Sequence, residues 1–305
     1  MAQPNSEKAA RNHIARTTED WIMDTVITVF CILILFITVY PFYFVLIISF
    51  NEGIDATKGG IYWFPRLFTF SNYTSFFTDV KWIRALGLTV VRTLVGTVIT
   101  VLFTTLVSYA MSFRGLIGKK YYMIFIIICM YFSGGIIPYY TVLRTLGLIN
   151  TFWVYVIPGA LNLFYITIGR AFFEDIPDSL RESAILDGAS ELKVFSRIIM
   201  PISKPFMATL ALFVGVGHWN NWYDSTFFVK SKTLRTLPYL MMEVINQNST
   251  TAAQNLNTAM HQSGTTTSLS VQTSAMVITV LPIIMIYPFL QKYFVKGMMV
   301  GAVKE

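Results

Sequence analysis

Long apolar runs alternate along the chain with short polar connections. The runs fall at about 22–50, 86–113, 121–143, 152–173, 205–228 and 272–291. A helix rising ~1.5 Å per residue needs about 20 residues to cross ~30 Å of hydrocarbon, and each run meets that length. The first exceeds the roughly 7–15 residues of a signal-peptide core and no small-residue cleavage site follows it, so it reads as a retained span. The pattern predicts an all-α membrane protein with six transmembrane helices. It consists of a cytoplasmic tail (1–21), a six-helix domain (22–291) and a second cytoplasmic tail (292–305).

One connection stands apart. Residues 177–205 are polar and charge-bearing, and Ser179 and Glu182 have the spacing of a capping box, which predicts a short helix starting near Leu180. Asp187-Gly188 marks a sharp turn. A second helix follows, with Leu192, Phe195 and Ile198/Ile199 on one face, and Pro201 and Pro205 limit it. Two short helices joined at a glycine could lie on a membrane surface or plug into a partner protein.

Composition agrees with a membrane protein. Of 305 residues, 54% are hydrophobic and 13% charged, with mean hydropathy +0.58, against roughly 25% charged in soluble domains. The net charge of +7 is scattered among apolar runs and forms no nucleic-acid patch. With the N-terminus inside, the cytoplasmic pieces carry 13 basic residues and the outside pieces 8, which places 177–205 in the cytoplasm. The external segments are 51–85, read as an ordered loop, and 229–271, rich in Asn, Gln, Ser and Thr. The second is either disordered or a loop that orders against an external partner. Asn72-Tyr73-Thr74 and Asn248-Ser249-Thr250 match the glycosylation pattern. Cys31 and Cys129 lie in apolar runs and read as buried small hydrophobes.

No catalytic set and no metal cluster can be assembled from His13, His218 and His261. Gly118-Lys119-Lys120 fails as a phosphate loop, because Phe113 and Lys120 stand where a Walker A sequence needs Gly and Ser or Thr. The chain is therefore not expected to bind ATP itself. Polar groups inside spans are the functional candidates. The fifth span holds His218-Trp219-Asn220-Asn221-Trp222-Tyr223-Asp224, either an interfacial aromatic belt or a sugar-contact surface in which rings stack and amides pair with hydroxyls. Asn162 and Tyr165 are candidates for the same substrate pathway. Arg92 is expected to reach a headgroup or pair with another chain, and Ser133-Gly134-Gly135 with Pro138 to break the third span or to allow tight helix packing.

Glu182, Ala184, Asp187, Gly188, Ala189, Phe195, Ile198, Pro201 and Pro205 fall in a pattern EAA-x-x-DGA-x5-F-x2-I-x2-P-x3-P. This resembles the coupling motif of permease subunits in binding-protein-dependent ABC importers, with Ser183 for the usual Ala and Met200 for Leu. Six spans, the polar loop before the last and the ending Gln291–Gly297, Gly301–Glu305 resemble the smaller permease of maltose-type carbohydrate importers. Within that class the likeness is to permeases for oligosaccharide and polysaccharide uptake. Glu305 replaces a common final Gly.

The resemblance implies a type I importer fold in a bacterial plasma membrane and a second homologous permease. It also implies a cytoplasmic ATPase dimer that binds ATP and Mg, an extracytoplasmic solute-binding protein and an oligosaccharide substrate. This chain would hold no cofactor and catalyse no reaction. Glu182, Ala184, Asp187, Gly188, Leu192, Phe195 and Pro201 would engage the ATPase, with Leu192 and Phe195 holding the joint. Permeases for peptides or polyols, and a membrane scaffold, are the alternatives.

Overall fold

The computed structural model describes residues 17–251 and 267–302. The expected tail over 1–16, the loop portion 252–266 and the end 303–305 lie outside the described residues, as do the side chains of Asn248, Ser249 and Thr250. Among the described residues the regular elements are helical, with one isolated antiparallel bridge between Asn51 and Phe68.

Helix α1 (Thr18–Ser49) opens on a capping box that the sequence reading missed: Asp20 N donates to Thr17 Oγ1 (3.3 Å), and Thr17 N donates to Asp20 Oδ2 (2.8 Å). The helix thus starts one turn inside the polar tail. Beyond it, α2 (Gly53–Thr57) and α3 (Ser71–Thr78) belong to a folded segment over 51–79. Asn72 is fully buried there, and its Nδ2 donates to the carbonyls of Ser49 (2.9 Å) and Asn51 (2.8 Å). That amide is committed to the fold and is no glycan acceptor.

Helix α4 (Val80–Ser112) is the central strut. Thr89, Arg92, Gly96, Thr100, Thr104 and Ser108 recur every three or four residues and form its buried face. Small side chains let neighbouring helices approach closely. A Cβ on Gly96 would meet His218 Nε2 at 2.6 Å, and one on Gly169 would meet Ser108 Oγ at 2.5 Å.

The remaining runs are interrupted. Helices α5 (Lys119–Tyr131) and α6 (Ile136–Thr145) meet at 115°. The break is Phe132–Gly135, where Gly135 has φ 81° and open space around it, so its backbone conformation and not packing explains the glycine. Residues 152–173 form a 3-10 turn (Phe152–Tyr155), an irregular stretch through Pro158 and Gly159, and α7 (Leu163–Glu174). The two-helix connection comprises α8 (Ser179–Leu186), α9 (Glu191–Val194), a π turn (Phe195–Ile199) and α10 (Met200–Ile202). It meets α11 (Lys204–Asn220) at 79°. Helices α12 (Tyr223–Phe228), α13 (Leu237–Thr251) and α14 (Ser268–Ala302) complete the chain.

Three helices, α1, α4 and the stretch Leu269–Ile286 of α14, are individually long and apolar enough to cross a membrane, and five spans result if each bent pair counts as one. The expected run at 152–173 is not a single helix, because Pro158, Gly159 and the capping Asn162 interrupt it. Part of the segment 229–271 is ordered on the chain itself: Leu237 and Leu240 of α13 pack with Phe76, Trp82, Ala275 and Ile278. Cys31 and Cys129 are free thiols on exposed helix faces, not buried ones.

The segment 51–79 carries its own charge lock. Hydrogen bonds from Asn51 (3.1 Å) and then Arg66 (3.0 Å) hold the Asp55 carboxyl below its ordinary range despite the opposing effect of burial. A carboxyl depressed in the folded state stabilises above its unfolded value, about 3.9, and that contribution is lost as pH falls towards the folded value. Acidification from pH 6 to pH 3 is expected to raise the rate of proteolytic cleavage within 51–79, and Asp55→Asn to flatten that dependence; cleavage of the purified protein read by mass spectrometry checks both.

Candidate functional site

A cavity of about 300 Å³ opens where α4, the 152–162 segment and the end of α11 converge. It is lined by side chains from distant parts of the chain, among them Arg92, Tyr139, Tyr155, Asn162, Tyr165 and Asp224. Arg92 is 1% exposed and is not directed to a headgroup or a second chain. Its Nη1 donates to the carbonyl of Asn221 (2.9 Å), its Nη2 pairs with Asp224 Oδ2, and its guanidinium carbon lies 4.5 Å from the centroid of the Tyr155 ring. Burying an arginine is costly, and here a carboxylate, a freed carbonyl and a ring face offset the cost together.

The break after α11 creates this arrangement. Asn221 leaves the helix in an extended conformation, and its side chain accepts from Asp224 N (3.2 Å), which turns the chain into α12. Tyr155 OH donates to the carbonyl of Leu234, and Arg235 Nη1 to that of Ser225 (2.6 Å). Asn150, the one non-glycine residue with positive φ among those described, accepts from the amides of Lys230 and Ser231 (2.9 and 2.7 Å).

Of the pathway candidates, Asn162, Tyr165 and Asn221 line the cavity, while Trp219, Asn220, Trp222 and Tyr223 do not. Trp219 is 7% exposed and donates through Nε1 to the carbonyl of Thr279 (2.9 Å), so it holds α11 against α14. Asn220, Trp222 and Tyr223 are exposed elsewhere. Asn162 also caps α7, accepting from Tyr165 N (3.2 Å). Arg92, Asp224 and Tyr155 were missed as lining residues. An arginine inside a predicted span was the signal for the first, and Asp224 closed the quoted polar cluster.

The 177–205 hairpin is the second candidate surface. Gly188 has φ 81° and makes the turn. The capping box is absent: α8 starts at Ser179 itself, with Asp178 at the cap and no side-chain bond to the helix. Ala184, Val194, Phe195 and Ile199 pack under the hairpin against Tyr109 and Phe173. Glu182, Asp187, Gly188, Leu192 and Pro201 are exposed. Leu192 is 71% exposed and does not share the buried face of Phe195, from which a π turn runs to Ile199. Arg181 pairs with Glu191 across the turn and lies 4.7 Å from the centroid of the Phe113 ring. Lys119 does not serve a phosphate; its Nζ reaches Glu174 (2.7 Å) and the carbonyls of Ser112 and Phe113 (3.0 and 3.2 Å).

No family model matches the chain. It is 31% identical to the polygalacturonan/rhamnogalacturonan transport system permease protein YtcP of Bacillus subtilis over 284 residues, covering 93% of this chain and 98% of that protein. The chain belongs to the sugar ABC-transporter permeases. The permease is also 35% identical to protein LplC of the same bacterium, over 88% of this chain and 90% of LplC. Its fold matches a crystal structure of a bacterial ABC transporter involved in alginate import, with TM-score 0.83, 26% identity and coverage of 92% of this chain and 99% of that one. A second alginate transporter chain, from a complex with an alginate pentasaccharide-bound periplasmic protein, shares the fold at TM-score 0.56 and 14% identity.

The Arg92–Asp224 pair yields a stability prediction. Arg92→Ala in the permease leaves the Asp224 carboxylate, only 19% exposed, without its cation and is expected to destabilise by about 3 kcal/mol, whereas adding Asp224→Ala recovers part of that loss. Thermal unfolding of the single and double variants in detergent reads the difference.

Proposed function

We propose that this chain forms half of the translocation pore of an ATP-driven oligosaccharide importer in a bacterial plasma membrane. It pairs with a second homologous permease, a cytoplasmic ATPase dimer that binds ATP and Mg, and an extracytoplasmic solute-binding protein. In this arrangement the chain crosses the membrane six times with both termini cytoplasmic. The broken helices count as spans because irregular backbone is tolerated at membrane depth where it is buried in protein or lines a cavity. Membrane lipid covers the apolar outer faces of α1 and α5.

The observation that carries the proposal is the two-sided hairpin. One side is packed against the bundle through Ala184, Val194, Phe195 and Ile199. The other presents Leu186, 88% exposed, and Leu192, 71% exposed, beside the charges of Glu182 and Asp187. Such a face has no water-side purpose of its own and fits a cleft on an ATPase subunit. Closure of the ATPase dimer would swing the hairpin as a rigid body and switch the pore between inward and outward access. The sugar would cross beside Asn162, Tyr165 and Asn221, where amides and a phenol meet hydroxyls.

Gly188→Leu places a branched side chain at a left-handed position, at a cost of about 1–2 kcal/mol, and alters the hairpin tip. In proteoliposomes holding the complete transporter, uptake is expected to fall at least about tenfold, equivalent to ~1.4 kcal/mol of coupling, while the permease inserts normally and ATP hydrolysis persists. Full coupled uptake in this variant overturns the coupling role. Asn162→Ser retains an oxygen able to cap α7 but withdraws the amide from the cavity. It is expected to lower uptake by roughly threefold to tenfold with unchanged thermal stability, the size of one hydrogen bond; equal uptake removes Asn162 from the pathway.

A further inference from the structure

The cavity's charge balance restricts what it can hold. Its lining has one guanidinium, Arg92, and one carboxylate, Asp224, with His218 as the third ionisable group other than tyrosine. The two opposite charges are already paired with each other. Arg92 Nη1 and Nη2 each give an N–H, to the Asn221 carbonyl and to Asp224, and Nε is buried with no hydrogen-bond partner. Asp224 Oδ2 takes the guanidinium, and the aspartate side chain remains 19% exposed.

We propose that the Arg92–Asp224 pair is a specificity element that selects an uncharged sugar unit over a uronate. This rests on the oligosaccharide-importer function above. A sugar hydroxyl both donates and accepts, so a hydroxyl in the cavity can donate to the Asp224 carboxylate, which stays 19% exposed while its paired guanidinium is 1% exposed. A uronate carboxylate only accepts. It would meet a guanidinium that is 1% exposed and already paired, and would be repelled by the more accessible Asp224 carboxylate in a site where water screens poorly. Tyr139 and Tyr165 offer ring surface for the apolar face of a pyranose. The volume of about 300 Å³ lies at the lower end of small-ligand sites and limits occupancy to a short piece of a longer chain.

A pair that served only to staple α12 onto α4 would confer no preference between neutral and acidic sugars. Two matched probes separate these roles: α-1,4-linked galactotetraose and tetragalacturonate, which differ only in a hydroxymethyl or a carboxylate on each ring. Their binding to the complete purified transporter, without its binding protein, is measured by equilibrium dialysis at pH 8 and low salt, where histidine is ordinarily neutral and screening is weak. The wild-type complex is expected to hold galactotetraose at least about tenfold more tightly than tetragalacturonate.

Asp224→Asn leaves Arg92 with an unneutralised charge and is expected to erase or reverse the preference, a gain of acidic-sugar binding that loss of a staple would not produce. Asp224→Glu keeps the charge and is expected to retain the wild-type order. If Asp224→Asn fails to assemble, the wild-type preference still decides the sign. Equal or tighter binding of tetragalacturonate by the wild type, an unchanged ratio in Asp224→Asn, or no binding of either probe overturns the proposal. Uptake of the binding protein's own ligand by the same preparation reports the importer function separately: if it is ATP-coupled while the preference is absent, only the specificity proposal fails.

Discussion

The architecture around the cavity depends on one buried guanidinium. Arg92 sits on a helix whose nearest inward residues along the same face, Thr89, Gly96 and Thr100, are small, and its long side chain reaches the break between α11 and α12. There it satisfies the Asn221 carbonyl released by the break and balances Asp224. A helix that stops inside an apolar layer leaves backbone groups without partners, and each one is expensive. Arg92 makes the stop tolerable. The break in turn brings Asn221 and Asp224 into the cavity, which an unbroken α11 would not do.

The other interruptions follow the same constraint with cheaper means. Asn162 caps α7 with its own side chain, and Thr100 Oγ1 donates to the carbonyl of Gly159 (3.0 Å), one turn before it. Asn150 accepts from two amides of the 230–231 segment while its own amide donates to the Phe228 carbonyl (2.9 Å). Asn, Thr and Arg therefore stand where the chain departs from helix, and their polarity repairs the backbone before it serves any solute.

The positions of the apolar helices and of the hairpin were legible because their signals are local: run length, Gly188, Pro201, Pro205 and the spacing from Glu182 to Phe195. The cavity was not. Arg92 and Asp224 lie 132 residues apart, and no periodicity announces such a pair. Trp219 belonged to a polar cluster by sequence, yet a helix apolar on most faces gives no warning of which side turns inward. Helix ends misled in both directions. Ser179 had the cap spacing but became the first helical residue, and the true capping box at Thr17–Asp20 lay in what read as a tail. The exposure of Leu192, expected on the buried face of Phe195, and the π turn that follows over Phe195–Ile199 carry no composition mark.

Helix α11 joins the two candidate surfaces physically. Its first turn follows Ser203, a fully buried corner between the hairpin and the bundle, and its last residue precedes the break that Arg92 holds. At 17 residues it is ~25 Å long. Along that length it is pressed against α4, with His218 over Gly96 and Thr97 beside Gly215. A rod seated this closely can shift or rotate as a unit, but it bends only by emptying those contacts, since packed interfaces move between discrete arrangements and do not deform smoothly. A force on the hairpin is thus delivered to the place where Asn221 and Asp224 face the cavity, and the glycines at 96 and 215 set how tightly the rod is guided. In the proposed transport cycle, that guidance makes the helix break the moving part and Arg92 the pivot against which it moves.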